Sequence, residues 1–222
     1  MKEIKLVIIC FALLTTIVVG NEQNEIVDKF LNHNIQAVTS FESVRYINAT
    51  SQKLKKSADV VVRAELFGTT NLNFQVISKS GSEFIQGRIL EYLEEEKKST
   101  KNVDPAKVAF TSNNYVISLK SSGDDGFIQL WNKPLRKDDF LIDGVLYINH
   151  SGELDHIEGK LIKNPSLLTS LVSVSRSYLT IDNSRLVQKQ DLHANLRFGL
   201  GQTEMHTRYI YSNVNGKVVE NE

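Results

Sequence analysis

Among 222 residues there is one cysteine, Cys10. It lies in the first twenty residues, so the rest of the chain has no thiol nucleophile, no thiolate metal site and no disulfide framework, and its fold must rest on a packed core. Net charge is also missing. The 26 basic residues are balanced by 26 acidic ones, which leaves no field to draw in a phosphate backbone and argues against nucleic acid as a partner.

Catalytic signatures are absent too. There is no G-x-S-x-G elbow and no H-E-x-x-H helix. Ser82 precedes a helical pattern, but capping accounts for it. Gly199-Leu200-Gly201 leads into a strand pattern rather than a helix, so it does not read as a phosphate loop. Gly123-Asp124-Asp125-Gly126 is too short for a calcium loop and reads as a turn. The sequence therefore reads as a non-enzyme with no cofactor. No internal repeat, low-complexity tract or linker rich in proline and glycine divides residues 21–222, which are expected to form one domain.

At the N-terminus, Lys2 and Lys5 precede an apolar run from Leu6 to Gly20 broken only by Thr15 and Thr16. This is the pattern of a secretory signal peptide over residues 1–20, with Val18 and Gly20 before the cleavage point at Asn21. The run falls short of the about 20 apolar residues of a comfortable membrane span, so an uncleaved anchor is the secondary reading. A lipoprotein signal would place small residues before its cysteine, whereas Val7, Ile8 and Ile9 are bulky. The expected location is outside the cytoplasm, in the periplasm or cell envelope. The strings Asn48-Ala49-Thr50 and Asn149-His150-Ser151 would matter as glycosylation sites only in a eukaryotic secretory pathway.

Two segments have helical periodicity. From Asn24 to Val38 the apolar residues Val27, Phe30, Leu31, Ile35 and Val38 form one stripe. Ser80 and Glu83 read as a capping box before a helix with Ile85, Ile89, Tyr92 and Leu93 on its apolar face, Glu94 and Lys98 as an i,i+4 pair, and an end near Ser99. Elsewhere the period is two. Val60, Val62, Ala64 and Leu66, then Leu72, Phe74 and Val76 across the turn Gly68-Thr69-Thr70-Asn71, predict a hairpin. Further strands are predicted at Tyr115–Leu119, Phe127–Trp131, Phe140–Asn149, Leu154–Ile162, Val172–Leu179, Leu186–Phe198 and Thr203–Tyr211. Short connections make these strands antiparallel neighbours. The predicted class is α+β: a strongly curled antiparallel sheet, a half-open barrel of about eight to ten strands, with an amphipathic helical lid.

Several local strings carry a family resemblance over residues 24 to 213. They are Gly81-Ser82-Glu83-Phe84-Ile85, Arg88-Ile89-Leu90, Asn114-Tyr115, the run Arg136-Lys137-Asp138-Asp139-Phe140-Leu141-Ile142-Asp143-Gly144, Ile157-Glu158-Gly159-Lys160 and Asn164-Pro165-Ser166. In order and spacing the chain resembles a divergent branch of the bacterial outer-membrane lipoprotein carrier-like superfamily. That resemblance implies a half-open barrel with a helical lid that holds lipid or lipoprotein acyl chains. The chain departs from the pattern after the glycine, where Val145-Leu146-Tyr147-Ile148-Asn149 replaces the usual tryptophan and aspartate. Arg45 matches the carrier's functional arginine by approximate place alone.

The expected ligand contacts are the apolar side chains on inward faces: Phe74, Val76, Ile85, Leu93, Ile117, Leu119, Trp131, Leu146 and Ile148. An acyl chain needs such a lining, since each buried CH₂ is worth about 0.8 kcal/mol. An ordinary filled core has the same composition. The rival reading is accordingly an envelope interaction or sensor module with a filled core and a protein partner. Transient contact with a membrane surface is compatible with either. His150, Glu153 and His156, with Asp155 and Glu158, alternate across a hairpin and read as a solvated rim rather than a metal site. His33, His193 and His206 carry no pattern.

Overall fold

The computed structural model describes residues 24–122, 126–138, 140–163, 169–198 and 201–220. The segment read as a signal peptide, most of the Gly123–Gly126 turn, Asp139, the Asn164-Pro165-Ser166 string and Gly199-Leu200 lie outside them.

Among the described residues the chain is α+β, with eleven strands in one antiparallel sheet and two helices. A first helix, α1 (24–31), precedes three long strands, β1 (Ser40–Ser51), β2 (Lys56–Phe67) and β3 (Asn71–Gly81). Helix α2 (Glu83–Asn102) and a 3-10 turn (Pro105–Lys107) lead to β4 (Tyr115–Ser122), β5 (Ile128–Pro134), β6 (Ile142–Ile148) and β7 (Leu154–Leu161). The remaining strands are β8 (Thr169–Ile181), β9 (Ser184–Leu196), β10 (Gly201–Val214) and the short β11 (Lys217–Val218). The spatial order is β3-β2-β1-β10-β9-β8-β7-β6-β5-β4, with β11 beside β10. Each neighbouring pair is antiparallel. The path is open, with β3 and β4 as its edges.

Strict alternation fixes which face each strand buries. In β2 the inward residues Ala58, Val60, Val62, Ala64 and Leu66 are buried while Asp59, Arg63 and Glu65 on the other face are not. Shifting this strand by one residue would place the whole apolar set in water, so its register is strongly specified. Helix α2 lies over this end of the sheet. Its Ile85, Ile89 and Leu93 recur every four residues and pack with Ile47, Ala58, Val60 and Val62. Fully burying each such side chain stabilises the fold by about 1.5–3 kcal/mol. Helix α1 covers the other end, where Phe30 joins Leu130, Leu146, Ile157, Val172 and Val174.

Three helical details differ from the sequence reading. Helix α1 stops at residue 31, and the stretch Asn32-His33-Asn34 turns the chain into an extended segment whose Gln36 N–H donates to the Asn183 carbonyl. Ile35 and Val38 therefore do not extend the helical stripe, and Val38 packs beside Leu186 and Tyr211 instead. Ser80 belongs to β3, so the cap of α2 is Ser82, and no side-chain capping bond forms. Lys98 pairs with Glu95 at 2.7 Å in place of Glu94, one residue closer along the helix.

Two of the strings that suggested a family relationship hold connections together. Asn114 donates to the carbonyls of Ala106 and Ala109 at 2.8 and 2.7 Å, and its own carbonyl accepts from Arg136 at 2.8 Å. Arg136 also donates to the Lys107 carbonyl and approaches Asp138 at 3.4 Å. These bonds tie the loop after α2 to the β5–β6 connection. Gly144 and Gly159 face each other across β6 and β7. A Cβ on Gly144 would sit 2.0 Å from the Glu158 carbonyl oxygen, and one on Gly159 would sit 2.5 Å from that of Asp143. Only glycine permits this approach of the two backbones.

Candidate functional site

A single row of directly opposed residues runs across nine strands: Val60, Ile47, Thr207, Gln190, Arg176, Ile157, Leu146, Leu130 and Leu119. Residues paired in this way share one face of the sheet. The face covered by the two helices is therefore apolar at both ends and polar in the middle. The adjoining row repeats the change, with Val62, Arg45 and Tyr209 side by side.

Arg45 is the best-defined member of this central belt. Its guanidinium is buried among three rings, with Tyr209, Phe74 and Phe41 centroids at 4.8, 4.9 and 6.0 Å. One of its terminal nitrogens donates to both carboxylate oxygens of Glu96 on α2, each at 2.9 Å. This bond fastens the helix to the floor of the sheet. Burial opposes the charge on Arg45, but Glu96 more than compensates and holds the guanidinium above its ordinary value.

Arg176 lies further along the row. Its Nε donates to Gln190 Oε1 at 2.6 Å, and Gln190 donates in turn to the Tyr92 hydroxyl on α2 at 3.0 Å. Its electrostatic neighbours are the phenols of Tyr178, Tyr92 and Tyr209. Among the described residues no carboxylate forms an ion pair with it. Arg176 and Tyr92 are both half-buried. Arg185 stands nearby over the Phe30 ring at 5.9 Å, and burial lowers its affinity for a proton. Several buried polar atoms of this face find no hydrogen-bond partner: Arg45 Nε, Arg185 Nε, Ser43 Oγ and Thr207 Oγ1. Each such atom costs about 1–3 kcal/mol.

The residues expected to touch ligand divide into three groups. Ile85 and Leu93 are buried under α2, and Leu146 and Ile148 are buried under α1, all within the apolar clusters. Phe74, Ile117 and Leu119 are partly buried; Phe74 stacks on Arg45, while Ile117 and Leu119 join Asn24, Val27 and Asp28 around a cleft of ≈ 290 Å³ between α1 and β4. Val76 and Trp131 are not enclosed. Val76 points inward but sits on the edge strand and is 42% exposed. Trp131 is 49% exposed because the inward positions of β5 are Ile128, Leu130 and Asn132, which puts the indole on the opposite face beside Lys120.

Sequence reasoning missed Arg176, Arg185, Gln190 and the tyrosines of the belt. Arginine and glutamine in an alternating strand look like its wet face, and nothing local marks the switch. The paired residues on neighbouring strands carry that information, and they require the register. The histidines divide similarly. His156 stacks on Tyr147 at 3.9 Å and His33 lies 4.0 Å from Glu153, so the hairpin rim is a set of local contacts. His193 and His206 do meet, on β9 and β10, with ring centroids 5.9 Å apart and His206 2.6 Å from Asp191. Among the described residues no group of three or more histidine, cysteine and acidic side chains is arranged to hold a metal. No helix of the described residues is long and apolar enough to cross a membrane.

No family model matches the chain, and no curated protein matches it.

Proposed function

We propose that this chain binds a hydrophobic ligand, a lipid or the acyl chains of a lipoprotein, between a curled sheet and the two helices. The observation that carries the reading is the covered face itself. Two helices bury separate apolar clusters at its two ends, and a belt of polar, partly buried side chains lies between them. Curling is supported by the Gly144–Gly159 approach and by the bulges that interrupt five of the pairings, since both increase local twist. Export to the periplasm or cell envelope belongs to the same reading and rests on the pattern of residues 1–20.

Native mass spectrometry and solvent extraction of the purified protein test the proposal. The expected result is a co-purifying acyl lipid, or uptake of a fluorescent fatty acid after delipidation. A protein that carries no lipid and takes up no fatty acid would remove the proposal.

A second reading has its own support. The cleft between α1 and β4 measures ≈ 290 Å³, just below the range of about 300–1,000 Å³ usual for ligand pockets, and another of ≈ 260 Å³ opens among Tyr46, Asp59, Lys189 and Arg208 on the uncovered face. On that reading the core is filled and the fold serves as an envelope interaction or sensor module. The larger apolar area would then be protected from small probes, and fatty-acid uptake would be absent.

A further inference from the structure

An arginine stays charged at any physiological pH. Burying it without a carboxylate is costly unless an anion completes the pair. Arg176 is in that position. It is half-buried between β8, β9 and α2, its Nε is held by Gln190, and its neighbours on this face are phenols rather than carboxylates. Arg45 has spent its charge on Glu96, and Arg185, on the side of α1, has Glu153 among its charged neighbours. The polar centre of the covered face thus has more positive than negative charge. Directly beside Arg176 the row turns apolar at Ile157, Leu146 and Leu130.

We propose that Arg176 is a headgroup site: its guanidinium receives the carboxylate or phosphate of an anionic amphiphile whose acyl chain lies along the apolar cluster beneath α1. The planar fork of a guanidinium suits either oxyanion. Gln190 fixes the orientation of Arg176 before ligand arrives, and Tyr92 ties that orientation to α2. The inference rests on the acyl-chain reading above and adds the chemistry of the head.

The test uses the delipidated full chain and titrates it with oleate, oleyl alcohol, oleoyl-lysophosphatidate and oleoyl-lysophosphatidylcholine below their micellar concentrations. Oleate and the lysophosphatidate are expected to bind at least about tenfold more tightly than oleyl alcohol, the difference made by one charge-assisted hydrogen-bonded contact. The zwitterionic lysophosphatidylcholine should lie between. Arg176→Met should remove the preference for oleate and leave the affinity for oleyl alcohol unchanged. The thermal midpoint should change little, because the lost bond to Gln190 is offset by removal of a cation that has no carboxylate partner. Arg176→Lys should keep part of the preference.

Equal binding of oleate and oleyl alcohol by the wild type would overturn the headgroup site while leaving acyl-chain binding intact, and that comparison needs no variant. Arg176→Met losing both ligands equally would also overturn it. Acetate or inorganic phosphate binding as well as oleate would show a site for free anions and exclude the amphiphile. Binding of none of the four amphiphiles would remove the acyl-chain reading together with this one.

Discussion

Arg45 on β1 and Glu96 on α2 meet through one guanidinium nitrogen that lies 2.9 Å from both carboxylate oxygens. The contact joins residues 51 apart in sequence and, with the Tyr92–Gln190 bond, is a polar anchor of a helix otherwise held by Ile85, Ile89 and Leu93. Removing either partner has different consequences.

Glu96→Ala leaves Arg45 buried among rings with no carboxylate, which should destabilise the fold by about 3 kcal/mol. Replacing both residues, Arg45→Met with Glu96→Met, removes the stranded charge and should recover most of that loss. Urea unfolding of the single and double variants checks the order. A double variant less stable than Glu96→Ala would show that the pair contributes through more than mutual charge compensation.

Two glycine substitutions should act in opposite directions. Gly87 lies within α2 with open space where a Cβ would go, so Gly87→Ala should stabilise by about 0.5–1 kcal/mol through helix propensity. Gly144→Ala would drive its methyl group into the Glu158 carbonyl and should cost several times as much, about 3 kcal/mol or more. Denaturant midpoints measured side by side decide it.

Alkaline pH should unfold the protein through its tyrosines. Burial is the leading cause that raises Tyr92, Tyr115, Tyr209 and Tyr211 above the ordinary phenol value of 10.0. In the unfolded chain these groups lose their protons near pH 10, while in the folded protein they keep them. Their contribution to stability is thus complete below about pH 10 and is lost as pH rises toward the folded values, at about 1.4 kcal/mol per pH unit for each tyrosine. Tyrosinate absorbance should appear in a cooperative step that coincides with loss of β circular dichroism. Ionisation of all tyrosines while the sheet persists would contradict this.

The lone tryptophan offers a control for ligand experiments. Trp131 faces outward with the Lys120 ammonium 4.9 Å from its ring. Its emission should be red-shifted, open to acrylamide quenching and unchanged when an amphiphile binds the covered face. A blue shift on adding oleate would place ligand on the other side of the sheet.

Alternation alone made most strands legible, because a half-buried strand records its own two faces, as Val60 to Leu66 do. The sheet's class and antiparallel pairing followed from the short turns. Helix α1 was read seven residues too long because Ile35 and Val38 continue a helical spacing by coincidence, whereas the bond from Gln36 to Asn183 that ends it is not local. The same limit applied to the site. Leu146 and Ile148 were recognisable as inward residues, but Trp131 had the right chemistry in the wrong phase. Arg176 had a polar side chain in an inward position, which only its pairing with Gln190 and Ile157 makes visible.

The pairing of β1 with β10 has a consequence for how the molecule comes into being. The strand that joins the first hairpin to the rest of the sheet is the tenth in chain order, so a growing chain cannot complete its sheet until β2 to β9 have all been made. Contacts so distant in sequence form slowly. A chain of this topology stays pliable for longer than a helical bundle of equal size.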